Sequence, residues 1–308
     1  MIVIQELSQF PALSHAVVTS GTFDGVHVGH QKILSKLTEA ARQNNGQSVV
    51  ITYWPHPRTV LNPNDDSLRL LSTIEERIEA LRQYGVDYLL LLPFTKEFAQ
   101  LSSEEYIQKI LINTIRTKKL VIGYDHRFGK NREGGFDYLQ ANAQRYGFEV
   151  EEIPRQDVDA VGVSSSKIRT ALERGDVDTA ARYLGRPYSL TGTVVQGKQL
   201  GRTLGYPTAN LEPREKLKLV PAQGIYAVRV QTPAGPYKGM LSIGTNPTVQ
   251  GDRQTIEVNL FDFDADLYGQ EITLLFIAYL RPEEKFSGLE ELTQQLHQDK
   301  LAALQVLG

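Results

Sequence analysis

The 308-residue chain contains no cysteine, which excludes disulfides and thiolate metal sites while leaving the compartment open. It has no excess of positive charge either. The formal net charge is −3, so the chain carries no basic field of the kind nucleic-acid binding requires. No apolar run reaches the roughly 18 residues of a membrane span. The start, MIVIQELSQF, lacks both the basic region and the long apolar stretch of a secretion signal. These absences make the cytoplasm the expected compartment, with neither membrane nor nucleic acid as a partner. No internal repeat or low-complexity tract is visible, and the length points to two domains.

Short apolar runs alternate with helical stretches through the first half: Val17–Thr19, Val49–Tyr53, Tyr88–Leu92, Leu120–Ile122 and Phe148–Ile153. That alternation predicts an α/β domain with a parallel sheet covered on both faces. Two helices announce their starts with a capping box, Thr73 to Glu76 and Ser102 to Glu105. A helical stretch from Lys167 to Leu184, interrupted near Arg174–Asp176, ends at Gly185-Arg-Pro187. Beyond it the texture becomes strand-like over Tyr188–Val195, Gly224–Gln231, Tyr237–Ile243, Gln254–Phe261 and Glu271–Leu280, closed by a helix over Leu289–Leu304. The expectation is a small β-barrel or sandwich with a terminal helix. The boundary is placed at Gly185–Pro187, giving domains 1–186 and 187–308.

The first half is organised around Ser20–Gln31, SGTFDGVHVGHQ, which reads as strand, glycine-rich turn and helix start. Gly21, Gly25 and Gly29 allow close backbone approach, and the helix aims its unpaired N–H groups back at the loop, a setting that suits a phosphate. His27 and His30 stand three apart at its mouth and offer ring N–H donors. Two surface histidines in a turn is the plain alternative. A zinc site is disfavoured, because His15, His56, His126 and His297 complete no nearby set.

Loops that follow parallel strands open on one edge, where such sheets bind ligands. Three more carry polar motifs: Trp54-Pro-His-Pro57, Gly123-Tyr-Asp-His-Arg-Phe-Gly129 and Val163-Ser-Ser-Ser-Lys-Ile-Arg169. Each is also readable as a rigid turn, an ordinary loop or a helix N-cap. In the second half, Gly197, Gly201 and Gly205 punctuate a loop that leads to Pro207-Thr-Ala-Asn210. On an extended segment Thr208 and Asn210 face the same way, presenting two neutral oxygens to a hard cation such as Mg²⁺. A hydrogen-bonded turn is the alternative.

GTFDGVHVGHQ resembles the HxGH region of the nucleotidyltransferase superfamily, most of all the form in bacterial bifunctional riboflavin kinase/FMN adenylyltransferases. GRTLGYPTAN resembles the GRxLGxPTAN signature of riboflavin kinases. Gly224–Val228, Ser242–Thr248, Glu257–Phe263 and Arg281–Phe286 follow at familiar spacing, so the resemblance spans nearly the whole chain. It implies a Rossmann-like nucleotidyltransferase domain that makes FAD and pyrophosphate from FMN and ATP. A barrel kinase domain would make FMN and ADP from riboflavin and ATP, with Mg²⁺ at both sites.

By the same resemblance, His27, His30 and Arg169 meet the transferring phosphates. Gly21, Phe23, Asp24, Gly29 and Ser165 surround ATP in the first domain, with Asp24 equally readable as a turn carboxylate. His56 and Asp125 belong to the nucleotide or flavin pocket. In the second domain Gly201 and Gly205 are implied at ATP, Thr208 and Asn210 at the metal, Glu257 as the base for the ribityl hydroxyl, and Asn259 and Arg281 on the flavin side. A solvent-facing strand carboxylate is the alternative for Glu257. Two positions depart from the family pattern: His126, where an apolar aromatic is usual, and Asn259, where histidine is usual. A nonenzymatic flavin or nucleotide sensor, and an enzyme making another nucleotide-linked metabolite, are the rival readings.

Overall fold

Strand residues of the first half alternate between two hydrophobic cores, one on each face of a sheet. Val18, Ile51, Leu90 and Ile122 pack with Ile107 and Leu111 on one side. Val17, Val50, Leu89 and Val121 pack with Leu34, Leu37 and Leu81 on the other. Burial on both faces is why these strands read as unbroken apolar runs. In the computed structural model, which describes residues 1–124, 126–154, 162–197, 200–248 and 251–308, the chain divides into two units, Met1–Ser165 and Ser166–Gly308.

The first unit carries strands β1 (Ile2–Ile4), β2 (Ala16–Ser20), β3 (Gln47–Trp54), β4 (Tyr88–Pro93), β5 (Thr117–Gly123) and β6 (Glu149–Ile153). They form one sheet in the order β1-β4-β3-β2-β5-β6, every pair parallel. Its helices are α1 (Val28–Gln43), α2 (Pro57–Leu61), α3 (Ile74–Gln83), α4 (Ser103–Tyr106) and α5 (Phe136–Tyr146), with α4 running on as a wider π turn over Ile107–Ile115. Both capping boxes form: Glu76 N–H donates to Thr73 Oγ1 at 3.2 Å and Thr73 N–H to the Glu76 carboxylate at 2.9 Å, with the same exchange between Ser102 and Glu105.

In the second unit, β7 (Tyr188–Val195), β8 (Ala209–Pro213), β9 (Gly224–Thr232), β10 (Gly235–Thr248), β11 (Gly251–Leu260) and β12 (Glu271–Arg281) close an antiparallel barrel in the order β10-β11-β8-β7-β12-β9. The terminal helix, Leu289–Leu307, lays Ala303 and Leu307 against Ala227, Met240 and Phe261. Helices α6 (Ser165–Glu173) and α7 (Val177–Leu184) precede the barrel, and α8 (Leu200–Thr203) lies within it, so the terminal helix is α9.

The division of the chain falls before α6 and α7, not at the expected Gly185–Pro187. The reason is packing. α7 lies against β7 and β12, and the Ala222 N–H donates to the Leu172 carbonyl at 2.9 Å.

Candidate active sites

In the first unit β2 has β3 on one side and β5 on the other, and the strand order reverses there. Ligands of open α/β sheets bind outside the carboxyl ends of the strands at such a point. The chain leaving β2 turns through three left-handed residues, Phe23 (φ 48°), Gly25 (φ 83°) and Val26 (φ 42°). Only the glycine adopts this conformation without steric cost. Asp24 holds the turn. Its buried carboxylate accepts from Leu71 N at 3.1 Å, Ser72 N at 3.0 Å and Ser72 Oγ at 3.2 Å, while Gly25 N donates back to Ser72 Oγ at 3.0 Å. Asp24 is thus enclosed in the turn, as in the turn-carboxylate reading of the sequence.

The two histidines of this loop are stacked, with ring centroids 3.6 Å apart and planes 16° from parallel. His27 caps α1, and its Nδ1 accepts from His30 N at 3.3 Å. An accepting Nδ1 places the proton of the neutral ring on Nε2. The Phe23 ring meets His30 edge-on at 5.1 Å. Burial holds the His30 pKa well below that of a free histidine, helped by neighbouring His27 and by Arg77.

Beyond the histidines opens a cavity of about 550 Å³, lined by Gly21, Phe23 and His30 at one end and by Tyr53, Phe94, Phe98, Tyr106, His126 and Phe128. A space of this size with aromatic walls suits a planar ligand. Its polar features include the Tyr53 and Tyr106 hydroxyls, 3.0 Å apart, the pair of Ser20 Oγ and His126 Nε2, and the cations Arg127 and Lys130. Burial raises the pKa of both phenols and keeps them neutral.

The remaining expected residues of this site are placed as follows. His56 caps α2, its Nδ1 accepting from Arg58 N at 3.2 Å; Pro57 and Leu61 of that helix reach the cavity. Ser165 Oγ donates to the Asp24 carbonyl at 3.1 Å, and Gly29 is buried in the first turn of α1. Arg169 lies on α6 within the second unit. Asp125 falls outside the described residues. Arg77, which the sequence reading passed over, lies on the buried face of α3 with Ala80 and Leu81. A charge in register with an apolar stripe was the available signal.

In the barrel, Thr208 Oγ1 donates to Glu257 Oε2 at 3.1 Å. Asn210 stands opposite Glu257 in the pairing of β8 with β11. The glycines upstream make room. A Cβ at Gly197 would sit 2.1 Å from Asn210 Nδ2, and one at Gly201 would sit 2.2 Å from the Tyr206 carbonyl oxygen. Gly205 completes the turn at φ 80°. A cavity of about 700 Å³ opens beside Thr208, lined also by Arg202, Pro207, Phe263 and Tyr268. Glu257 adjoins it through Thr208.

Asn259 and Arg281, expected on the flavin side, both hold neighbouring segments. Asn259 donates from Nδ2 to the Pro207 carbonyl at 2.7 Å, fixing the segment that carries Thr208. Arg281 grips Asp299 of α9 through Nε and Nη2 at 2.8 and 2.7 Å, and its Nη1 donates to the Pro282 carbonyl at 2.9 Å. Glu283, not singled out in the sequence, lays its carboxylate over Gly244, where a Cβ would lie 2.1 Å from Oε1. Ser242, which hydrogen-bonds Glu283, pairs with Glu257 across β10 and β11. Burial raises the Glu283 pKa.

A stacked histidine pair, one ring capping a helix, thus stands on a parallel sheet, and a threonine–asparagine–glutamate group stands on a separate barrel. The FAD synthetase family model matches residues 10–167, and the riboflavin kinase family model matches residues 184–307. The bifunctional riboflavin kinase/FMN adenylyltransferase of Escherichia coli strain K12 is 38% identical over 306 residues, covering 99% of this chain and 96% of its own. Its counterpart in Bacillus subtilis strain 168 is 35% identical over 294 residues, covering 94% and 92%. A solved structure of a macrolide-efflux protein from Streptococcus pneumoniae superposes over 98% of both chains, with a TM-score of 0.89 and 33% identity. Among the described residues of the present chain, no helix is long and apolar enough to cross a membrane.

The chain belongs to the bifunctional riboflavin kinase/FMN adenylyltransferase family. It is an enzyme that phosphorylates riboflavin to FMN through its C-terminal domain and adenylylates FMN to FAD, releasing pyrophosphate, through its N-terminal domain. The nucleotide is co-substrate for both steps.

Proposed function

We propose that adenylyl transfer takes place beside His27 and His30, and phosphoryl transfer beside Thr208, Asn210 and Glu257. In the first reaction the FMN phosphate attacks the α-phosphorus of ATP and pyrophosphate leaves, a step governed by positioning and charge neutralisation. The flavin ring occupies the aromatic cavity, with its phosphate end toward Gly21 and the histidines. His27 Nε2–H, aimed by the capping bond at Nδ1, donates to a phosphate oxygen, and His30 supports it through the ring stack. Arg169 supplies a cationic fork to the ATP phosphates, and Ser165 and Gly29 shape the loop around them.

In the second reaction Glu257 accepts the proton of the ribityl hydroxyl as that oxygen attacks the γ-phosphorus. Thr208 keeps the carboxylate in place. The oxygens of Thr208 and Asn210 fit a hard cation, and Mg²⁺ held there together with ATP would neutralise phosphate charge. No group of three or more histidine or carboxylate side chains suited to a metal occurs among the described residues, consistent with a cation that takes its other ligands from the nucleotide. The need for ATP at both sites supports a cytoplasmic setting, and the net charge of −3 argues against nucleic acid as a partner.

The stacked, helix-capping pair His27 and His30 is the observation that carries the first assignment. Complementary variants test both. His27→Ala, and His30→Ala through the lost ring stack, are expected to accumulate FMN from riboflavin and Mg·ATP while FAD formation falls, on the order of 10²-fold or more for His27→Ala, as for loss of a charge-stabilising donor. Glu257→Gln is expected to bind riboflavin and lose roughly 10²- to 10⁴-fold in phosphorylation, yet convert supplied FMN to FAD normally. Chromatography of the flavins reads all three species. Equal loss of both activities in any of these variants would overturn the assignment.

A further inference from the structure

Arg77 is completely buried, and its charge is poorly matched by its surroundings. Its Nη1 reaches Thr52 Oγ1 and the Tyr53 carbonyl only at 3.5 and 3.4 Å. Nε and Nη2 have no hydrogen-bond partner among the described residues. The one carboxylate near it, Asp24, is 3.9 Å away and already accepts from Leu71 and Ser72. The guanidinium also lies over the Trp54 ring, 5.7 Å from its centroid. Burying a cation without a close countercharge is costly. A helix whose apolar face needed only packing would be better served by leucine or methionine.

The location supplies a reason for the charge. Thr52 Oγ1, which Arg77 touches, donates to the Thr22 carbonyl at 3.2 Å. Asp24, its ion-pair partner, is the anchor of the same turn. The guanidinium therefore sits behind the loop whose outer side presents the histidine pair.

We propose that Arg77 is the buried cation of the adenylyl-transfer site, a positioning residue that acts through His27 and His30 and finds its missing countercharge in the bound phosphates. Before the nucleotide arrives, burial favours the neutral form of His30, and the neighbouring His27 and the Arg77 charge act in the same direction. His27 then caps the helix, and the two rings, 3.6 Å apart, donate without repelling each other. When the phosphates arrive, the field of Arg77 favours their negative charge, more strongly than in bulk water because the guanidinium itself is buried. The inference rests on the reading that the histidines meet the phosphates.

The ionisable groups acting on His30 are His27 at the start of α1 and Arg77 on α3, with Asp24 of the loop beside Arg77; β2 and β3 contribute Ser20 and Thr52, which carry no charge. Arg77 is one of the groups that lower the His30 titration, so removing its charge should raise it. Removing the negative charge of neighbouring Asp24 should act with the opposite sign by Coulomb's law, which gives the test a sign. The full chain is prepared as Arg77→Met, Arg77→Lys and Asp24→Asn, and histidine titrations are followed by NMR beside FMN adenylylation and riboflavin phosphorylation. Arg77→Met should move the His30 titration to higher pH and cut adenylylation about tenfold, the equivalent of about one pKa unit. Asp24→Asn should move it to lower pH. Arg77→Lys, which keeps the charge, should recover most of the rate, and phosphorylation should be unchanged throughout.

A structural role for Arg77 would shift both titrations the same way or leave them in place, and either result overturns the inference, as does normal adenylylation by Arg77→Met. If that variant does not fold, Arg77→Lys and Asp24→Asn decide alone: a His30 titration unmoved by Asp24→Asn is the negative result. His30→Ala separates the two levels. Normal adenylylation by His30→Ala removes the histidine reading itself, whereas its loss beside a fully active Arg77→Met removes only the role of Arg77.

Discussion

His126 Nε2 lies 2.7 Å from Ser20 Oγ, joining the loop after β5 to the carboxyl end of β2. The contact spans the point where the strand order reverses, and both residues line the aromatic cavity. The family pattern that the sequence resembles puts an apolar ring at position 126. In this chain the site has a polar tie instead, so the pocket is shaped by a hydrogen bond as well as by packing.

His126→Phe restores the apolar ring and removes one partner of the Ser20 hydroxyl, which also hydrogen-bonds Tyr53 and Tyr106. Loss of one buried polar partner costs on the order of tenfold in affinity, so the KM for FMN in adenylylation should rise by about that factor, with riboflavin phosphorylation unaffected. Steady-state kinetics with each flavin checks it. An unchanged or lower KM would mean that His126 only fills space.

Gly197→Ala places a methyl group 2.1 Å from Asn210 Nδ2, and the amide, as the end of a side chain, will swing away. Stability should change little. Phosphorylation of riboflavin should fall by roughly tenfold or more, because a displaced first partner misaligns the reacting groups, while FAD formation from supplied FMN continues. Thermal melting together with the two assays distinguishes this from general damage. Normal phosphorylation would remove Asn210 from the site.

The boundary of the kinase domain can be tested by two fragments. Pro187–Gly308 holds every barrel strand, and Ser166–Gly308 adds α6 and α7, which bury Leu172, Val177 and Leu184. Both should phosphorylate riboflavin. The shorter should be less stable, since each buried aliphatic side chain is worth roughly 1.5–3 kcal/mol. Equal denaturation midpoints would place the boundary at Gly185–Pro187 as the sequence suggests, and an inactive but folded pair would argue against separate sites.

Much of this architecture is legible in the letters because the governing interactions are local or periodic. The apolar runs of β2 to β6 are buried on both faces, and α1 shows its stripe at Ile33, Leu34, Leu37, Ala40 and Ala41. β1 escaped notice because three residues with only Ile4 buried make no pattern. β8 was hidden by the glycines before it, its pairing with β7 and β11 being long-range. The protein partners of charged residues were less legible. Asp24 and Arg281 carry the charges that sites use, but which way a side chain turns is decided by partners such as Ser72 and Asp299, far away in sequence.

The strand that carries the histidine loop is also the one that all five of its residues bury, with a neighbour on each edge. Its amide hydrogens have no local route to solvent, so they exchange only when the sheet opens as a whole. A turn hung from such a strand inherits its permanence. The left-handed Phe23 and Val26, each a strain on the order of 1–3 kcal/mol, are held between that strand and the bonds of Asp24 to Leu71 and Ser72, so the loop has its shape before any substrate arrives.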